Sequence, residues 1–179
     1  NKLEDFAESD YKVINRQNAK IVIENNFIDV CLDSDDVYDI WGNIDNGVFI
    51  LKDRITNQCR ANITIDTELG SSSNCGIYIE FQDGKRILYG SLGRLNMAIH
   101  AIDDIENYEL CKYQEIIEKK MQIGITYDDK NCYFYSGVDN SCKYVMKLNA
   151  SIYRVGFYVK TWERCECKVH IEDILVKSN

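Results

Sequence analysis

From Lys20 onward one pattern repeats along the chain: apolar and polar residues alternate for a few positions, then turn chemistry breaks the run. In Cys75–Phe81, Ile77, Ile79 and Phe81 alternate with Tyr78 and Glu80. A period of two sends neighbouring side chains to opposite faces of a strand, so each such run can bury one face and wet the other. Turns at Asn25-Asn26, Asp45-Asn46-Gly47, Gln82-Asp83-Gly84, Asp128-Asp129-Lys130-Asn131 and Gly137-Val138-Asp139-Asn140 punctuate the runs. Ile, Val, Tyr and Phe make up 52 of 179 residues, against 6 Ala and no Pro. That bias suits pleated surfaces rather than helices.

The pattern predicts strands over Lys20–Glu24, Phe27–Cys31, Val48–Lys52, Ala61–Glu68, Cys75–Phe81, Arg86–Tyr89, Met121–Tyr127, Tyr133–Ser136, Lys143–Leu148, Tyr153–Lys160 and Cys165–Val176. So many strands exceed a comfortable open sheet and predict an all-β, two-sheet antiparallel sandwich. Leu3, Phe6 and Ala7 have helical spacing and predict a short N-terminal helix. Leu95, Ile99, Ile102 and Ile105 fit a helix, while Leu95, Met97, Ile99 and Ala101 fit a strand; a strand running into a loop is the reading. No repeat or linker divides the chain, and its length buries about 70% of the unfolded surface in one core, so residues 1–179 read as one domain.

The net charge of −8 argues against nucleic acid and anionic membrane surfaces as partners. No run approaches the length of a membrane span. Of the eight cysteines, Cys132, Cys165 and Cys167 fall on apolar stripes, Cys167 in step with Val169 and Ile171. Thiols on the buried face favour free cysteines and a reducing cytoplasm, with an extracellular setting as the alternative. There is no C-x-x-C, so no zinc site is expected. The opening Asn1-Lys2-Leu3 reads as a processed chain or a piece of a longer protein.

The order of segments resembles a known family. Cys75-Gly76-Ile77-Tyr78-Ile79-Glu80-Phe81, the Asp83-Gly84 turn and Leu88-Tyr89-Gly90 resemble a hairpin of concanavalin A-like lectin/glucanase domains. The closing runs Tyr153–Lys160 and Val169–Val176 resemble that family's terminal strand pair. The resemblance implies a jelly roll with one concave face. It also implies either an accessory sugar-binding module or a hydrolase.

Laminarinase-like hydrolases of this fold place paired carboxylates along one strand, as a retaining mechanism requires. No such strand is present here; the nearest acidic cluster is Ile102-Asp103-Asp104-Ile105-Glu106, whose adjacent aspartates would face opposite ways on a strand. Sugar binding needs aromatic faces and hydrogen-bonding groups. Tyr78, Glu80, Tyr89, Asn96, His100, Tyr158 and Trp162 supply that chemistry and are the candidate ligand-binding residues on the groove face. Singly, each also reads as a packing partner, and Trp41 as a loop residue beneath the sandwich. No cofactor is expected; calcium is the alternative, since Asp33-Ser34-Asp35-Asp36 and Asp128-Asp129 offer hard oxygen ligands, although neither has the spacing of a dedicated loop. The favoured function is a non-catalytic module binding a glycan or a polypeptide partner, accessory to a larger protein. A glycoside hydrolase of the same fold and a structural domain packed on a catalytic neighbour are the alternatives.

Overall fold

The computed structural model describes residues 11–52 and 57–177. Its strands are β1 (Tyr11–Ile14), β2 (Lys20–Glu24), β3 (Phe27–Leu32), β4 (Ile40–Trp41), β5 (Ile44–Asp45), β6 (Val48–Lys52), β7 (Gln58–Asp66) and β8 (Ser73–Phe81). They continue with β9 (Arg86–Leu92), β10 (Asn96–Ala101), β11 (Glu109–Gln114), β12 (Lys120–Tyr127), β13 (Asn131–Ser136), β14 (Ser141–Lys147), β15 (Ile152–Thr161) and β16 (Cys167–Lys177). A front sheet runs β1-β6-β15-β8-β9-β10-β11 and a back sheet runs β14-β13-β12-β7-β16-β3-β2. The hairpin β4–β5 belongs to neither sheet. This is the expected antiparallel two-sheet sandwich, a jelly roll. The helix expected at Leu3, Phe6 and Ala7 lies outside the described residues.

The core forms where alternation aims both inner faces at each other. Ile77, Ile79, Val155, Phe157, Met97 and Ile99 of the front sheet bury against Ile63, Ile65, Ile123, Phe134, Val169 and Ile171 of the back sheet. The segment that fitted either helix or strand is β10, followed by a loop. Four strands were not expected: β4 and β5, which form a two-residue hairpin outside the sheets, and β1 and β11. In β1 the run is too short to show a period, and in β11 a bulge opposite Ile99/His100 interrupts the alternation.

Tyr89 corrects the expected facing of β9. The register sets Ile77 opposite Tyr89 and Tyr78 opposite Leu88, so Tyr89 turns into the core and Leu88 turns outward. The Tyr89 ring meets Phe134 edge-on at 5.1 Å, and its hydroxyl donates to the Tyr135 carbonyl at 2.9 Å. All eight cysteines are free thiols; Cys59, Cys75, Cys132 and Cys167 are buried. Cys165, expected on the stripe of β16, precedes that strand and is half-buried.

The front sheet is also covered on its outer side. Phe49, Leu51, Tyr78, Leu88 and Tyr158 point away from the inter-sheet core but lie beneath Ile40 and Ile102, forming a second buried cluster. Gly76 and Gly90 face each other across β8 and β9, and a Cβ on Gly90 would sit 2.4 Å from the Tyr158 hydroxyl. The bare backbone is what lets the Tyr158 ring lie across the sheet. Arg86 fastens the cover. Its guanidinium donates to Asp45 at 2.7 Å, Asp103 at 2.9 Å and the Gly42 carbonyl at 2.6 Å, while Gly42 N–H donates to the Ile102 carbonyl at 2.9 Å.

Candidate functional site

Beside the cover, one end of the front sheet's outer face remains open as a cleft of about 640 Å³, within the ordinary range for small-molecule sites. Strand geometry positions its walls. His100 and Asn96 point outward because Met97 and Ile99 of the same strand point into the core. Trp162 follows the last residue of β15, and its backbone N–H donates to the Ser72 carbonyl at 3.0 Å. The loop before β8 is tied to the β9–β10 turn, where Gly70 N–H donates to the Gly93 carbonyl at 2.7 Å. Gly93 has φ 55°, and a Cβ there would meet the Ser71 carbonyl oxygen at 2.5 Å, so the turn needs glycine.

Trp41 stands between cover and cleft. Its ring meets Tyr108 edge-on at 4.8 Å and His100 at 5.8 Å, and His100 meets Tyr108 at 5.4 Å. Lys160 Nζ lies 5.3 Å from the Trp41 ring centroid, within cation–π range. The same ammonium donates to Asp39 Oδ1 at 3.0 Å and to the Ile40 carbonyl at 3.1 Å, which is how a lysine only 4% exposed is accommodated. Burial lowers its pKa against the opposing pull of Asp39.

His100 is 8% exposed, and its Nε2 is buried with no hydrogen-bond partner in the protein. Burial, then the positive charges of Lys160 and Lys112, push its pKa down to about 4. The imidazole is therefore neutral at pH 7, with one buried ring nitrogen left without a partner at the edge of the cleft. Trp162 and Tyr108 are 39% and 38% exposed, leaving aromatic surface open. Aromatic surface with a few converging polar groups is the equipment for holding a ring with apolar faces and hydroxyl edges.

Of the seven candidate residues, the structure brings Asn96, His100 and Trp162 together here. Tyr78 and Tyr158 do face outward as alternation requires, but at 2% and 1% exposure they are packed under the cover and present no binding surface. Tyr89 is in the core. Glu80 lies near the opposite end of β8, ion-paired with Arg154. Tyr108, Lys112 and Lys160 line the cleft without having been singled out, and Trp41, expected as a loop residue beneath the sandwich, lines it too. The one visible signal was Trp41 beside Gly42, a large aromatic in a tight turn.

The acidic turns are internally occupied. Asp33 accepts from the Tyr38 hydroxyl at 2.7 Å and from Asp35 N–H at 3.0 Å, and Asp128 accepts from the Lys130 and Asn131 N–H groups at 2.7 and 2.8 Å. Among the described residues no three His, Cys, Asp or Glu side chains are grouped to hold a metal ion.

No family model and no curated protein matches the sequence. Solved structures do match the fold. A functionally unknown protein from Saccharomyces cerevisiae superposes with a TM-score of 0.72 at 15% identity, covering 97% of this chain and 99% of that one. The catalytic domain of an endo-1,3-β-glucanase (laminarinase) from Thermotoga petrophila RKU-1 gives 0.63 at 11% identity, covering 93% and 89%. A glycoside hydrolase family 16 endo-glucanase from Bacteroides ovatus gives 0.58 at 9% identity, covering 98% of each chain.

Proposed function

We propose that this chain is a glycan-binding module whose site is the cleft between Trp41, Tyr108, His100 and Trp162. The observation that carries the reading is the open aromatic surface of Trp162 and Tyr108 beside the buried, unpartnered Nε2 of His100. The named glucan-acting neighbours add weight, because their substrates are glycans. Binding without hydrolysis is favoured by the distribution of carboxylates. Among the residues lining the cleft the one carboxylate is Asp39, already held by Lys160, whereas glycoside hydrolysis needs two flanking the scissile bond.

Trp41 and Trp162 are the only tryptophans, and both line the cleft, so intrinsic fluorescence reports on it directly. Titration with a panel of gluco-, xylo-, manno- and chito-oligosaccharides should change the emission saturably for at least one class. Trp162→Ala should weaken that binding by about 1–3 kcal/mol, the range for losing an aromatic anchor. Emission unmoved by every saccharide would end the proposal. Release of reducing ends that disappears in Asp39→Asn while the fold persists would replace binding with catalysis.

A further inference from the structure

The cleft is blind. A polymer lying across the front sheet would run outward over β15, β8, β9 and β10, but that path is occupied by Ile40 and Ile102 sealed onto Tyr78, Leu88 and Tyr158. Trp41 belongs to both regions: it packs against this sealed cluster and also lines the cleft. It is the back wall. Behind it, Arg86 joins the β4–β5 hairpin to the loop after β10 through Asp45 and Asp103, so both halves of the cover are tied to one side chain that is itself 13% exposed. Lys160 closes the floor through Asp39 and the Ile40 carbonyl. Opening a through-path would expose a continuous apolar cluster and strip a shielded guanidinium of its partners, a cost a sugar polymer has no contacts to offset.

From this closure we infer that the cleft recognises the end of a glycan chain, a terminal segment of a few sugar units, and does not accept the interior of a polymer. The inference rests on the glycan-binding reading above and narrows it to a substrate class. In a blind cleft every contact is made by the terminal units, so added length brings no new contacts. An open groove of the same fold would gain contacts with each unit until the sheet was crossed.

The test uses the full chain and tryptophan emission, with the class of oligosaccharide that responds in the panel taken at two to eight units. Affinity should level off by the trisaccharide, and the octasaccharide should bind within twofold of it. Trp162→Ala should weaken binding of every length by the same factor, tenfold or more. For the matching soluble polymer, the number of protein molecules bound should follow the concentration of chain ends and rise as the polymer is cut by mild acid. An affinity that climbs tenfold from three to eight units overturns the blind cleft and leaves glycan binding standing. So does a Trp162→Ala defect that fades with length, or binding of several protein molecules along an uncut polymer chain. Silence across the whole panel overturns glycan binding itself, and this inference with it.

Discussion

The outer faces of the two sheets have opposite characters although both are built from alternating strands. On the back sheet, β7 sends Cys59, Ala61, Ile63 and Ile65 inward and Arg60, Asn62, Thr64 and Asp66 outward. Its outer face carries cross-strand polar contacts, such as Lys120 Nζ to Glu172 Oε1 at 2.6 Å and Asn62 Nδ2 to Asp173 Oδ2 at 2.7 Å. The front sheet instead has apolar residues on both sides, and its outer side is split between a sealed half and the cleft. Which of these fates a face meets depends on what segment packs over it, here β4–β5 and the loop after β10. Alternation decides direction, and the cover decides exposure.

The sharpest way to break this contrast is Tyr78→Ala. If Tyr78 is a member of a second core, its loss should destabilise the fold by about 3–5 kcal/mol, as for other large aromatics removed from a core. Chemical denaturation would measure it. A change under 0.5 kcal/mol would mean the front face is as open as the back.

The next largest effect concerns His100. Its pKa is about 4 in the fold, below the ordinary value of 6.5, because burial and two lysines oppose its charge. Between those values the unfolded chain binds the proton and the folded chain does not. Stability is therefore full above pH 6.5 and declines as pH falls toward 4, by on the order of 3 kcal/mol. Carboxylates titrate in the same window, so the wild type is compared with His100→Phe, which keeps a ring against Trp41 and Tyr108. The variant should lose that share of the decline; identical profiles would place His100 in solvent.

These two residues also mark where the sequence was legible. The back sheet could be read almost strand by strand because one wet face gives each run a phase. On the front sheet, Ile87-Leu88-Tyr89 and Val48-Phe49-Ile50-Leu51 have no phase: apolar residues follow one another without a break. Such runs signal strands buried on both sides. They were the available hint that a cover existed and that outward tyrosines would lie beneath it. The identity of the cover was not available. Nothing local in Asp39-Ile40-Trp41-Gly42 says that it packs against strands more than thirty residues away. The cleft is assembled from β4, β9, β10, β11, β15 and the loops around them, so the pattern placed Asn96, His100 and Trp162 there but not Trp41 and Tyr108, which the cover supplies.

A more modest effect is expected from Arg86→Met, which removes the fastening of the cover and keeps the aliphatic stem. Asp45 and Asp103 are 47% and 33% exposed and can rehydrate, so the cost should be about 1–2 kcal/mol, less than for a fully buried pair. Hydrogen exchange should locate the loosening at Gly42 and Ile102, with the β7 and β16 amides of the back sheet unchanged. Uniform loss of protection across both sheets would show that the cover is not a separate layer.

The smallest effect belongs to the other histidine and tests the wet face directly. His170 lies on β16 with Asp29 at 2.5 Å from Nδ1 and Glu172 at 3.3 Å from Nε2. Burial alone would lower its pKa, but the hydrogen bond and charge of Asp29, followed by those of Glu172, raise it above 6.5. The sign is thus opposite to that of His100. The folded chain holds this proton more tightly, so the contribution is complete below pH 6.5 and is lost as pH rises through the folded value. With a side chain 37% exposed and facing solvent, screening reduces the contribution to about 0.5 kcal/mol, typical of surface pairs. Comparing wild type with His170→Gln between pH 5.5 and 8.5 isolates it, and added salt should shrink the difference because exposed charges are screened. An effect of several kcal/mol that resists salt would mean that this face, too, is covered.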